Sequence, residues 1–166
     1  MATTRILGID PGFDRLGICV LDKEGTKEKL VYSSCITTSK SASFTERLAH
    51  VGDELTKVLT EYKPAHLAIE DLFFTKNQRT AMMVAEVRGV ILYLAQKHGL
   101  RIYEYSPPAI KVAVTGYGKA SKDDVKHMVS RIIRLPEKKQ LDDEVDAIAI
   151  ALTHSAHYKM TTWGQP

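Results

Sequence analysis

A chain of 166 residues that is 44% hydrophobic and 26% charged has the composition of a soluble globular protein, long enough to bury about two-thirds of its unfolded surface in one core. No apolar run approaches the ~20 residues of a membrane span, and Met1 to Arg5 lacks the apolar centre of a signal peptide, so a cytoplasmic protein is expected, with one domain over 1–160 and a short tail over 161–166. The net charge of +3 excludes little, but its distribution says more: Pro107 to Leu141 holds eight Lys or Arg against three Asp or Glu, while the candidate acids lie outside that segment. A basic surface beside grouped carboxylates suits a polyanionic substrate held through a metal. Cys19 and Cys35 fall in expected strands without metal-ligand spacing and read as reduced thiols.

Arg5 to Asp10 reads as a buried strand running into Pro11-Gly12. Proline fixes φ and glycine tolerates positive φ, so the strand stops at the acid and turns, leaving Asp10 at a strand end. Such an acid alone is as readily a solvated turn residue as a metal ligand. Leu16 to Leu21 and Glu28 to Ile36 read as two further strands, and their short connections make the three antiparallel neighbours. Ser43-Phe44-Thr45-Glu46 is a capping-box pattern that opens a helix. Leu48, Val51, Leu55, Val58 and Leu59 form its apolar stripe, and Lys63-Pro64 ends it.

The fourth strand, Ala65 to Glu70, also stops at an acid. A parallel crossover through the helix brings Asp10 and Glu70 to the same edge of the sheet. Two adjacent carboxylates repel, and a cation relieves that repulsion. Asp71 follows directly, but alternation lets only one of the pair face Asp10. Glu70 is the choice because the buried strand runs up to it.

Phe73 and Phe74 come next, in a connection too short of cover to bury both. An exposed ring beside Lys76 and Arg79 can stack on nucleic-acid bases or wedge between them. Thr80 to Gly99 forms a long helix whose apolar surface is wider than one contact face, which fits either a second copy of the chain or another buried face. Arg101 to Tyr105 is the fifth strand, and Ser106-Pro107-Pro108 starts a helix containing Lys111. After the turn Gly116-Tyr117-Gly118-Lys119, Ser121 and Asp124 cap the next helix. Lys111, Lys119, Lys122 and Lys126 lie at or near helix starts, where free N–H groups attract phosphate, although a solvated basic face explains them equally well.

The final helix opens on Asp142-Asp143-Glu144-Val145-Asp146. Acids at a helix start complement its dipole. Asp146, however, sits within the apolar part, and Asp143 at i−3 shares its face, with Asp142 at i−4 as a rival. His154 and His157 read as ordinary surface or core histidines.

Taken in order, these motifs are Gly8-Ile9-Asp10-Pro11-Gly12, Ile69-Glu70 with Phe73 and Asn77, Arg88-Gly89-Val90, Lys111 ahead of Val114-Thr115-Gly116, Lys122 ahead of His127-Met128-Val129, and Asp143 with Asp146-Ala147 leading to Thr153-His154. The set closely resembles the bacterial RuvC-type Holliday-junction resolvases. That resemblance implies an α/β RNase H-like fold: a mixed five-stranded sheet, three antiparallel strands followed by parallel ones, with helices on both faces. It also implies a homodimeric, magnesium-dependent endonuclease that nicks four-way DNA junctions in pairs during recombination and repair, alongside a branch-migration helicase complex. Carried over by position, Asp10, Glu70, Asp143 and Asp146 are the expected catalytic acids and metal ligands. Lys122 and Lys111 match the phosphate-contacting lysines, and Phe73 matches the aromatic against junction bases. Phe74, Lys76, Arg79, Lys119 and Lys126 extend the expected DNA surface. The extra acids Asp71, Asp142 and Glu144 leave the fourth ligand open, and Phe74 leaves open which ring reaches DNA.

The chemistry is consistent with that implication. Four carboxylates repel a phosphodiester unless divalent ions intervene, and hard oxygen ligands select Mg²⁺ or Mn²⁺. Two such ions ~4 Å apart activate water for in-line attack and leave 5′-phosphate and 3′-hydroxyl ends. The alternatives are an RNase H-like nuclease acting on RNA or hybrids, and a junction-binding protein without catalysis. An actin-like ATPase shares the acid-proline-glycine turn, but this chain is too short for a two-lobed cleft and has no second glycine-rich phosphate loop.

Overall fold

The computed structural model of the chain describes residues 3–71, 78–137 and 140–162. In chain order the elements are β1 (Thr4–Asp10), β2 (Arg15–Glu24), β3 (Lys27–Thr37), α1 (Phe44–Tyr62), β4 (His66–Glu70), α2 (Gln78–Lys97), β5 (Arg101–Tyr105), α3 (Pro107–Thr115), α4 (Lys122–Ile132) and α5 (Asp142–Thr162). The five strands form one sheet in the order β3-β2-β1-β4-β5. β1 to β3 pair antiparallel, whereas β1, β4 and β5 run parallel, so the expected mixed sheet forms.

β1 is the sheet's central strand and is covered on both faces, which is why Ile6 to Ile9 reads as an almost unbroken apolar run. Alternation divides the neighbouring side chains between two cores. Leu7, Ile9, Leu16, Ile18, Leu67 and Ile69 pack with α1 and α2 on one face. Ile6, Cys19, Leu21 and Ala68 pack with α3, α4 and α5 on the other. The helices therefore flank both faces, as the resemblance implied.

Ser43 caps α1 through a complete capping box, and Lys63 closes it in the left-handed region at φ 49°. The width of the apolar surface on α2 is largely absorbed within the chain. Val87, Ile91 and Ala95 are buried, and Leu92 and Leu94 pack partly against the same core. Met82 and Tyr93 remain 63% exposed. Among the described residues, no helix is long and apolar enough to cross a membrane. Both cysteines are free thiols.

Candidate active site

The register of the central strands assembles the first half of the site. Ile9 of β1 pairs with Ile69 of β4, so Asp10 and Glu70, each the next residue, leave the sheet side by side at one edge. Asp71 is exposed, whereas Glu70 is partly covered and lines the same cavity as Asp10. The choice of Glu70 over Asp71 as the residue facing Asp10 agrees with this arrangement.

α5 supplies the second half by resting directly on the sheet backbone. A Cβ on Gly8 of β1 would lie 2.4 Å from the carbonyl oxygen of Ala147, and one on Gly17 of β2 would lie 1.8 Å from that of Asp143. No larger residue fits at either position without a shift of backbone. Two glycines on paired strands thus let the helix settle deeply, and its first turns bring Asp143 and Asp146 toward Asp10. A cavity of about 320 Å³ opens there, lined by Asp10, Glu70, Asp146, Lys111 and Lys122 above an apolar floor from α3, α4 and α5.

The carboxylates perturb one another strongly. Burial, then the charges of Glu70, Asp146 and Asp143, push the Asp10 carboxyl up to about 7 against the opposing pull of Lys122. Burial and Asp146 raise Glu70 as well. Lys122 places Nζ 3.2 Å from Asp146 Oδ2, and the negative field, led by Asp146, raises its ammonium pKa.

The donor set suits a hard divalent cation, since every acid offers oxygen and Asp143 Oδ2 is buried without a hydrogen bond. Among the described residues, no three acid, His or Cys side chains already converge as a cation cage.

The crowded start of α5 separates into three environments. Asp142 is 70% exposed and faces Lys126, 3.3 Å away. Asp143 is 21% exposed and lies on β2 beside Arg15. Glu144 is buried on the far side and accepts a 2.6 Å hydrogen bond from Ser33 Oγ. Asp143, the i−3 neighbour, is thus the acid grouped with Asp146 and Asp10, and Asp142 points elsewhere.

Lys119 and Arg79 are exposed and do not line the cavity. Phe73, Phe74 and Lys76 lie outside the described residues, as does Asn77. His154 is a core histidine, as one of the two expectations had it. Its Nε2 is 2.9 Å from His66 Nδ1, and its Nδ1 is 2.7 Å from the Tyr105 hydroxyl. Burial pushes it down to about 4, reinforced by the neighbouring histidines. Sequence reasoning missed Arg15, whose only signal was its place two residues before Gly17 on one face of β2.

A mixed sheet with carboxylates at the ends of two parallel strands, a helix laid across glycines with further acids, and lysines around the same cavity define a nuclease of RNase H-like architecture. The profile of the family described as crossover junction endodeoxyribonuclease RuvC matches residues 6–154. Proteins of that name from Fusobacterium nucleatum and Pelotomaculum thermopropionicum are similar to the chain. The first is 42% identical over 150 residues, covering 90% of this chain and 79% of the relative; the second is 40% identical over 158 residues, covering 95% and 94%. A solved structure of T. thermophilus RuvC in complex with Holliday junction substrate superposes with a TM-score of 0.89 at 33% identity, covering 96% of this chain and 97% of that one. The chain belongs to the RuvC family of crossover junction endodeoxyribonucleases.

Proposed function

We propose that this protein resolves four-way DNA junctions by paired hydrolytic nicks, using Asp10, Glu70, Asp143 and Asp146 to hold divalent metal, and that it serves homologous recombination and repair in the cytoplasm. The observation that carries the reading is the convergence of Asp10 and Glu70, from adjacent strand ends, with Asp146 of α5 in one cavity that also holds Lys111 and Lys122. A phosphodiester enters such a site only when added positive charge offsets the acids. Mg²⁺, with Mn²⁺ as substitute and two ions per site, fits the all-oxygen donor set. Bound there, the ions would supply Lewis-acid polarisation of the phosphate and lower the pKa of an attacking water.

The chain's own residues do the rest. The four acids would hold the ions, and their placement would set where the scissile phosphate binds. Lys122, beside Asp146 and at the cavity wall, offsets charge that builds on the phosphate oxygens in the transition state. Lys111 reaches the cavity from α3 and holds the adjoining backbone phosphate. Lys119, Lys126, Arg79 and Lys76 extend a salt-sensitive DNA surface, and either Phe73 or Phe74 is the aromatic that meets junction bases.

Paired nicks require two sites, and a homodimer supplies them; the exposed Met82 and Tyr93 on α2 support a partner on that face. The complex of T. thermophilus RuvC with its Holliday junction substrate supports the same substrate here. A branch-migration helicase complex is the further partner we assign. The test is incubation with a synthetic mobile four-way junction, with and without Mg²⁺, mapping cuts on all four strands. Symmetrical, Mg²⁺-dependent nicks bearing 5′-phosphates are expected. Cutting of RNA hybrids with junctions intact, or tight junction binding without nicks, overturns the proposal.

A further inference from the structure

The acids of the site differ in what accompanies them. Asp143 and Asp146, on α5, each stand beside a cation, Arg15 and Lys122 respectively. Asp10 and Glu70, at the strand ends, form no ion pair among the described residues. Lys122 donates a hydrogen bond to Asp146, but Arg15 does less: its Nε lies 3.0 Å from Asp143 Oδ2, and that oxygen is still buried without a hydrogen bond. Proximity without alignment leaves Coulomb attraction but not the directional bond that makes Arg–carboxylate pairs tight.

The pairing follows from the register. Arg15 and Gly17 point to the α5 face of β2, and Gly17 alone allows the Asp143 backbone to press onto the strand there. The Asp143 side chain is then held two residues along, beside Arg15. The Arg15 side chain is 51% exposed, so it can leave toward solvent without breaking the core. A guanidinium does not deprotonate at working pH, so its charge leaves Asp143 only when the side chain moves.

We propose that Arg15 is a positioning residue: an internal counter-cation that holds the Asp143 carboxylate in place in the metal-free enzyme and competes with the divalent ion for Oδ2. The proposal rests on the metal-site reading above. It makes ion entry an exchange of one cation for another, with the displaced guanidinium free to face the incoming phosphate backbone.

The experiment titrates the full chain with Mn²⁺ alone, following free ion by electron paramagnetic resonance, for wild type, Arg15→Gln, Arg15→Lys and Asp10→Asn. Removing the competing charge is expected to tighten Mn²⁺ binding roughly fivefold in Arg15→Gln. Arg15→Lys, which keeps the charge, stays within about twofold of wild type. Equal or weaker binding by Arg15→Gln, or equal tightening in both variants, overturns the role of Arg15 while leaving the metal site standing. No Mn²⁺ binding by wild type, or binding unchanged by Asp10→Asn, overturns the metal site and Arg15 with it.

Discussion

Gly17 of β2 lies directly under Asp143 of α5, so close that a single added methyl group would sit 1.8 Å from the Asp143 carbonyl oxygen. The obstacle is backbone, not a flexible side chain, so nothing can turn aside. Replacing Gly17 with Ala must lift the start of α5 away from the sheet. We expect a loss of about 3 kcal/mol in stability, from overpacking at a rigid contact. Because the same shift carries Asp143 away from Asp10, Mn²⁺ affinity should fall together with the melting temperature. A Gly17→Ala protein that melts like wild type would show that the helix does not rest there.

Adjacent acids at the start of α5 should separate functionally. Asp143→Asn and Asp10→Asn are each expected to slow junction nicking by more than about 10³-fold in Mg²⁺, while junction binding in Ca²⁺ stays within a few-fold. Asp142→Asn removes only an exposed pair with Lys126 and should cut at close to the wild-type rate. Single-turnover cleavage rates beside gel-shift affinities measure both. Equal damage from Asp142→Asn and Asp143→Asn would contradict the separation of these two side chains.

Without metal, stability should fall as pH rises through the range where Asp10 ionises. Its carboxyl is held up to about 7, above the value near 4 of an unfolded chain. The unfolded state therefore releases its proton first, and each step upward from about pH 4 to 7 favours unfolding. The loss is complete above pH 7 and amounts to at most ~4 kcal/mol. Denaturant titrations in chelator at pH 5 and pH 8 should show it. Asp10→Asn should remove most of the difference, and saturating Mg²⁺ should reverse it.

His154 predicts the opposite slope. Its imidazole is pushed down to about 4, so the fold holds it neutral while an unfolded chain protonates near 6.5. Its contribution is fully present above pH 6.5 and is lost as pH falls toward 4. The Asp10→Asn background separates this effect from that of Asp10, and there melting temperature should drop steadily between pH 6.5 and 4. His154→Phe in that background should flatten the acid slope, although it costs about 2 to 3 kcal/mol at neutral pH by stranding His66 Nδ1 and the Tyr105 hydroxyl. An unaltered acid slope would remove His154 as its source.

Much of this arrangement was legible in one dimension, because it depends on local rules. Three strands of alternating direction followed by a capped helix return the chain parallel to β1, so the two apolar runs that each stop at an acid bring Asp10 and Glu70 to one edge of the sheet. Alternation chose Glu70 over Asp71 for the same reason, since the strand's period of two is built into the backbone. What the chain alone left open was which acid of the 142–144 run joins them. On a helix, i−3 and i−4 lie within a fraction of a turn of the same face, so spacing does not separate Asp143 from Asp142. Contacts between elements distant in sequence made that decision: Gly17 admits the Asp143 backbone, Arg15 meets its side chain, Lys126 faces Asp142, and Ser33 binds Glu144. The pairing of His66 with His154 is of the same kind, since 88 residues of chain separate them. Local periodicity determined the strands, the helices and two corners of the site; only the packing of α5 on the sheet, a matter of backbone clearance at two glycines, decided the rest.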